Sequence, residues 1–198
     1  MAVERVQQMS IEEFLAFAET SEEWYEYIDG ELYPMTTPTF RHNIIGNNIA
    51  FSLRILLAGK NCQALAMGQG VRASETRFLI PDVCVVCEEP LLETDTRILL
   101  NPVLVGEVTS PTTVNIDRGA KRDYYFYMPS IEIYLVVDQH RLFVELHTRD
   151  GVGWRIDTYS NIDDELPLEA LNCRLSLRDI YQNISFENDA ASAASDPN

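Results

Sequence analysis

The chain has 198 residues, of which 31 are acidic and 15 basic, and its formal net charge is −16 at pH 7. This charge disfavours a protein that coats nucleic acid by electrostatics alone, although divalent ions can bridge carboxylates to phosphate. No apolar run approaches the ~20 residues of a membrane helix, and acids replace the apolar stretch of a signal peptide, so we expect a cytoplasmic protein with no membrane partner.

The N-terminal segment predicts a helix, a second short helical piece and a strand. Ser10 is the predicted N-cap of the first helix, and Glu13 occupies the capping-box position. The second helical piece is predicted around residues 22–26. Asp29-Gly30 is a strong turn signal, which predicts that a strand begins after it over residues 31–36.

A strongly periodic helix is predicted next, over residues 40–57. His42 falls in its first turn, where a lone histidine is usually a polar surface or capping residue. Glycines then punctuate a strand-rich region over residues 62–73.

The chain has four cysteines: Cys62, Cys84, Cys87 and Cys173. We expect no disulfide framework from them at this length. Cys84 and Cys87 have zinc-knuckle spacing, but they lie in a strand-like run, where residues three apart face opposite ways. Buried structural thiols are the favoured interpretation, and a zinc protein is disfavoured.

Residues 78–86 predict a strand with Pro81-Asp82 set inside it. Proline there indicates a sheet edge, a bulge or the first paired residue of the strand. Asp82 is a lone acid among apolar neighbours. The connection that follows, residues 88–101, is long for a plain turn, as is typical of a segment that flanks a cleft.

A second lone acid, Glu107, follows the apolar run 103–105, which predicts a buried strand. A carboxylate in such a strand must be paired, bound to a metal or neutralised through a raised pKa. Ser110-Pro111 ends the strand. A helix is predicted to begin at residues 115–117, and Lys121 lies one turn beyond Asp117 on its face.

The C-terminal half predicts two helices and three strands. They are a helix over 118–128, a strand over 131–137, a hairpin of strands 141–148 and 154–160, and a short helix over 175–184 capped near Ser176. Length and composition predict one domain over residues 1–186. Residues 187–198 carry three acids and no base, and we predict a disordered acidic tail.

Six motifs follow one another along the chain. They are Glu26-Tyr-Ile-Asp-Gly30, His42, Pro81-Asp82-Val83, Pro102-x-Leu-Val-x-Glu107-Val-x-Ser110-Pro111, Asp117-x-x-x-Lys121-x-x-x-Tyr125 and Tyr134-x-Val-Val-Asp138. In combination they resemble a bacterial family of restriction endonuclease-like proteins, formerly catalogued as a domain of unknown function, in the PD-(D/E)xK nuclease superfamily. The resemblance covers about residues 10–182.

The resemblance implies an α/β (α+β) fold with a restriction-endonuclease-like core, a mixed β-sheet flanked by helices. It also implies a catalytic group of Asp82, Glu107, Lys121 and Glu26. Asp82 and Glu107 would bind Mg²⁺, or Mn²⁺, with the backbone carbonyl of Val108 as a third ligand. The superfamily lysine usually stands two positions after the second acid, where this chain has Thr109, so Lys121 would supply the cation instead.

These assignments predict a Mg²⁺-dependent endonuclease that hydrolyses phosphodiester bonds of DNA. Arg118, Lys121 and Arg122 would supply local positive charge for the phosphate, although the net charge of the chain is negative. A homodimer would bring together the two sites that cutting both strands requires, but no residue of the sequence identifies an interface. The alternative is a catalytically silent member of the same fold that acts as a binding or regulatory module. The acidic charge and the lack of a DNA-reading segment keep that alternative open.

Overall fold

The computed structural model describes residues 9–93, 98–110 and 117–186. In this part of the chain, two six-stranded sheets and a two-stranded hairpin pack with four α-helices. The predicted mixed sheet with flanking helices is therefore confirmed. The predicted acidic tail, 187–198, and the residues 115–116 where a helix start was predicted lie outside the described residues.

The helices are α1 (Ile11–Thr20), α2 (Phe40–Leu56), α3 (Arg122–Phe126) and α4 (Leu177–Ile180), with a π-helical turn (Asp117–Lys121) before α3 and a 3₁₀ turn (Glu169–Leu171) before the last strand. The strands are β1 (Tyr25–Ile28), β2 (Glu31–Pro34), β3 (Cys62–Ala66), β4 (Gly70–Ser74), β5 (Arg77–Leu79), β6 (Val83–Cys87), β7 (Leu92–Glu93), β8 (Ile98–Leu99), β9 (Leu104–Thr109), β10 (Ile133–Asp138), β11 (Val144–Asp150), β12 (Gly153–Tyr159), β13 (Glu165–Leu168) and β14 (Cys173–Ser176).

The central sheet has the strand order β12-β11-β10-β9-β6-β3. Strands β9 and β10 are parallel, whereas its other neighbouring strands are antiparallel. Every residue of β9 is buried. A strand covered on both faces is apolar along its whole length instead of alternating, which explains why a single acid in β9 stands out in the sequence.

The two faces of the central sheet pack against different layers. Helix α2 covers one face together with the β13–β14 hairpin and α4, through buried residues such as Ile45, Ile49 and Leu53. The other face packs against Tyr125 of α3 and against apolar residues of the second sheet, whose order is β2-β1-β5-β4-β8-β7. Helix α1 packs against the second sheet through Phe14 and neighbouring side chains.

Local capping and turn predictions in the N-terminal segment are confirmed. Ser10 Oγ accepts a hydrogen bond from the Glu13 N–H at 3.2 Å, and the Glu13 carboxylate accepts one from the Ser10 N–H at 2.7 Å. Asp29 and Gly30 have φ angles of 50° and 97°, as a tight hairpin turn between β1 and β2 requires.

The second short helical piece predicted over residues 22–26 is wrong, because β1 begins at Tyr25. This strand pairs with both β2 and β5, and a ladder on each side outweighs weak local helix propensity. The strand predicted over 78–86 is two strands, β5 and β6, which belong to different sheets and separate at Pro81-Asp82. The last helix is shorter than predicted, because Leu175 belongs to β14.

The interpretation of the cysteines as buried structural thiols is wrong for Cys62 and Cys87. Cys62 and Cys87 form a disulfide between β3 and β6, where they are direct cross-strand partners with Cα atoms 3.9 Å apart. This bridge removes a thiolate that a zinc site would need. Cys84 is a buried free thiol, and burial raises its pKa to about 12. Among the described helices, none has the length and apolar character needed to cross a membrane.

Candidate active site

Four carboxylate residues and one lysine are buried together between the two sheets. Their exposed fractions are 7% for Glu26, 8% for Asp82, 4% for Glu107, 3% for Asp117 and 8% for Lys121. We call these five residues the acidic cluster. Burial of several charged groups at one point costs free energy, so it marks a candidate functional site.

Asp82 and Glu107 enter the cluster from neighbouring strands. In the antiparallel β6–β9 register, Val83 lies opposite Gly106, which sets Asp82 opposite Glu107 one position further along. Val83 packs on the α2 side of the sheet, so the alternation of side chains turns both acids to the other face. Asp82 Oδ2 accepts a hydrogen bond from the Val108 N–H at 2.7 Å.

Glu26 comes from β1 of the second sheet. Its Oε1 accepts a hydrogen bond from the Ile80 N–H at 3.0 Å. Ile80 directly precedes the Pro81-Asp82 break at which the chain passes from the second sheet to the central sheet. The break therefore positions Glu26 and Asp82 at the same time.

Lys121 ends the π-helical turn and points into the cluster. Its Nζ lies 2.8 Å from Glu26 Oε1, 3.3 Å from Glu107 Oε1 and 3.8 Å from Asp117 Oδ1. Helical segments of the π type are rare and often occur at functional sites. The structure thus brings together Glu26, Glu107 and Lys121, and it excludes the simpler view of Lys121 as the partner of Asp117 in a surface pair.

Two tyrosines that stand in the sequence motifs, but to which the sequence assigned no role, line the cluster. The Tyr125 hydroxyl donates to Glu107 Oε1 at 3.0 Å, and the Tyr134 hydroxyl donates to the Asp117 carbonyl at 2.9 Å. Both side chains are fully buried. Tyr125 lies four residues after Lys121 in the sequence, and this spacing was the available signal.

His42 is more than the surface or capping residue that its position predicted. The Thr39 side chain caps its backbone N–H, but His42 Nε2 lies 3.1 Å from Asp82 Oδ2. Its side chain is 13% exposed. By contrast, Thr109 turns away from the cluster, since its hydroxyl donates to the Val137 carbonyl at 3.5 Å.

The cluster carries an excess of negative charge. Burial raises the pKa of Glu107 well above its ordinary value; Lys121 opposes this rise, whereas Asp117, Asp82 and Glu26 add to it. For Lys121, burial alone would lower the pKa, but the facing carboxylates of Glu107, Glu26 and Asp117 raise it well above its ordinary value. Lys121 is therefore a permanent cation at neutral pH.

The predicted positive charge next to the cluster is offset by acids. Arg118 Nε lies 3.1 Å from Glu145 Oε1, and Arg122 Nη2 lies 2.8 Å from Asp123 Oδ1. Neither arginine therefore presents an uncompensated charge.

The donor atoms fit a hard divalent cation. The hydrogen bonds and ion pairs of Glu107 go to Oε1, and those of Asp82 go to Oδ2, so each carboxylate uses one oxygen in these contacts. In the described ranges, no group of three or more His, Cys, Asp or Glu side chains is arranged to hold a metal ion. One or two carboxylates, completed by water and substrate phosphate, are the usual protein ligands of Mg²⁺.

Comparison with known proteins gives three kinds of similarity. A family model named Uma2 and described as "Putative restriction endonuclease" matches residues 11–178. Two uncharacterized proteins of Synechocystis sp. (strain ATCC 27184 / PCC 6803 / Kazusa) are similar in sequence. The protein slr1290 is 30% identical over 180 residues, 90% of this chain and 94% of its own length. The protein sll1609 is 26% identical over 153 residues, 76% of this chain and 86% of its own length.

The fold also resembles that of a solved protein from Anabaena variabilis ATCC 29413, described as "a putative nuclease belonging to DUF820". The TM-score is 0.72, and the match covers 87% of this chain and 97% of that one. Sequence identity is 16%, so this likeness concerns the fold alone.

Proposed function

The chain belongs to the Uma2 family of restriction endonuclease-like proteins, and from this premise we propose that it is a Mg²⁺-dependent endonuclease that hydrolyses phosphodiester bonds of DNA. One observation carries the proposal: Lys121 Nζ is held between Glu26 and Glu107 on the sheet face that also bears Asp82. Family and fold support a nuclease-like function. The metal and the DNA substrate rest on the chemistry of the cluster.

Asp82 and Glu107 would hold the divalent ion, with the Val108 carbonyl as a backbone ligand. Bound there, the ion would polarise the scissile phosphate and lower the pKa of a water molecule. The Val108 N–H fixes the orientation of the Asp82 carboxylate, and the Tyr125 hydroxyl fixes that of Glu107. Both acids are thus oriented by the chain itself.

Lys121 would act as an electrostatic group rather than as a base. Because the surrounding carboxylates raise its pKa, it keeps its proton at neutral pH. A preorganised ammonium can stabilise the negative charge that develops on the phosphate in the transition state and can orient the attacking water. Glu26, at 2.8 Å from Nζ, would hold the ammonium in place.

The test is cleavage of supercoiled and linear DNA with Mg²⁺ or Mn²⁺, followed on gels for the native chain and for Glu107→Ala. We expect metal-dependent cleavage that EDTA abolishes and that the variant lacks. Glu165→Gln, a charge-neutralising change at an exposed residue, serves as the matched control. Cleavage that persists unchanged in Glu107→Ala would contradict the assignment.

A catalytically silent binding or regulatory module is the second candidate. The observation in its favour is the pairing of Arg118 and Arg122 with neighbouring acids, which leaves little positive charge to attract DNA to a chain of net charge −16. Calorimetric titration with Mn²⁺ separates the candidates. Metal binding without cleavage of any DNA form favours the silent module.

A further inference from the structure

Helix α2 carries a line of apolar side chains on its outer side. Phe40 is 83% exposed, Phe51 65% and Ile55 59%, and Ile44 lies half-buried between them. We call Phe40, Ile44, Phe51 and Ile55 the α2 stripe. At about 100° per residue, these four positions fall within a sector of about 60°, opposite the helix face that packs on the central sheet. Exposed apolar side chains aligned on one side of a helix mark a candidate interaction site.

From the pattern of the α2 stripe we infer that it is the interface between two copies of this chain, packed as antiparallel helices about a two-fold axis. The positions are symmetric about the point between residues 47 and 48. Phe40 and Ile55 are equally distant from that point, and so are Ile44 and Phe51. In a two-fold interface residue i meets j while j meets i, so each phenylalanine of one copy would meet an isoleucine of the other.

Charge makes a second copy a suitable occupant. Two chains of net charge −16 repel each other, but the stretch of α2 from Phe40 to Ile55 contains no acid, and its formal charges are those of Arg41 and Arg54. This stretch is about 22 Å long (15 residues at about 1.5 Å each). The arginines beside it are turned to their own chain. Arg41 Nη2 donates to the Ser185 carbonyl at 3.2 Å, and Arg54 Nε donates to the Ala64 carbonyl at 2.9 Å.

The C-terminal segment of the chain itself fits less well as an occupant. Residues 187–198, which follow Phe186, contain no large apolar side chain and so could not fill the stripe. The inference goes beyond the proposed function, and its test measures mass rather than cleavage. The two can therefore fail separately.

Sedimentation velocity of the full chain, from about 1 to 100 μM, tests the inference. We expect a dimer for the native chain and at least a ~100-fold weaker association for Phe51→Asp. Ile156→Asp makes the same change at another exposed apolar residue (52% exposed, on β12) and should leave the dimer intact. A native chain that stays monomeric, or an equal effect of both variants, would overturn the inference.

Cysteine cross-linking gives a second readout that does not depend on how Phe51→Asp folds. Asn47 lies next to the inferred axis, so Asn47→Cys should form an intermolecular disulfide on oxidation. Asn43→Cys makes the same change one turn earlier. It would place the Cα atoms of the two cysteines at least ~13 Å apart along the helices, beyond the range of a disulfide. Equal cross-linking of both variants, or of neither, would refute the two-fold geometry.

Discussion

Replacing Glu107 with glutamine should change how the stability of the metal-free protein depends on pH. Burial and the nearby acids raise the pKa of Glu107 well above its ordinary value of 4.5. Between pH 4.5 and its folded pKa, the folded chain holds a proton that the unfolded chain lacks. The unfolding free energy of the native chain should therefore fall by about 1.4 kcal/mol per pH unit over that window because of this group. Glu107→Gln removes that slope.

The measurement is the difference between the two unfolding free energies, from urea titrations in EDTA at half-unit steps between pH 4 and 8. In this difference, the contributions of the titrating groups that both proteins share cancel. We expect the variant to gain relative stability as pH rises, whereas Glu165→Gln, the surface control, shows no such trend. A flat difference would mean that Glu107 titrates normally. A difference that falls with pH would mean that the Lys121 ion pair outweighs burial, and either result would refute the reasoning.

Three further predictions concern other parts of the structure. Lys121→Met should lower turnover by a factor of ~10² or more, measured by gel kinetics, because a transition-state electrostatic group is lost. It should also destabilise the metal-free fold by about 3–5 kcal/mol, measured by urea unfolding, because buried carboxylates are left without their cation. Gly68→Ala should lower the unfolding free energy by about 1–3 kcal/mol and alter Trp24 fluorescence, since Gly68 has φ +92° and its Cβ would lie 2.9 Å from the Trp24 ring. Cys62→Ala should lower the unfolding free energy by about 3 kcal/mol, because it opens the loop that the disulfide closes across a sequence separation of 25 residues. In reductant the native chain loses the same bridge, so thermal unfolding should then show no difference between the two proteins.

Sequence patterns predicted the elements whose signals are local. The apolar run before Glu107 and the periodicity of α2 mark buried elements, and a capping box marks the start of α1. The two acids were found because each interrupts an apolar strand. These features require no knowledge of which strands are neighbours.

The remainder depends on contacts between distant parts of the chain. Glu26 is held by the backbone of Ile80, 54 residues away. Contacts of this range form β1 as a strand, and the residues of β1 alone did not distinguish it from a helical piece. The Cys62–Cys87 bridge follows from the β3–β6 register, which no spacing rule contains. His42 is a site neighbour because the first turn of α2 reaches Asp82; the family resemblance includes His42, but the helix pattern around it does not reveal this contact.

Two backbone amides give the acidic cluster a spectroscopic signature. The Ile80 amide donates to Glu26, and the Val108 amide donates to Asp82. An amide proton bonded to a carboxylate resonates at a frequency that depends on whether that carboxylate is ionised, protonated or bound to a cation. One ¹⁵N–¹H spectrum therefore monitors the second sheet through residue 80 and the central sheet through residue 108, so that the order in which the two sheets respond to an added ion can be followed directly.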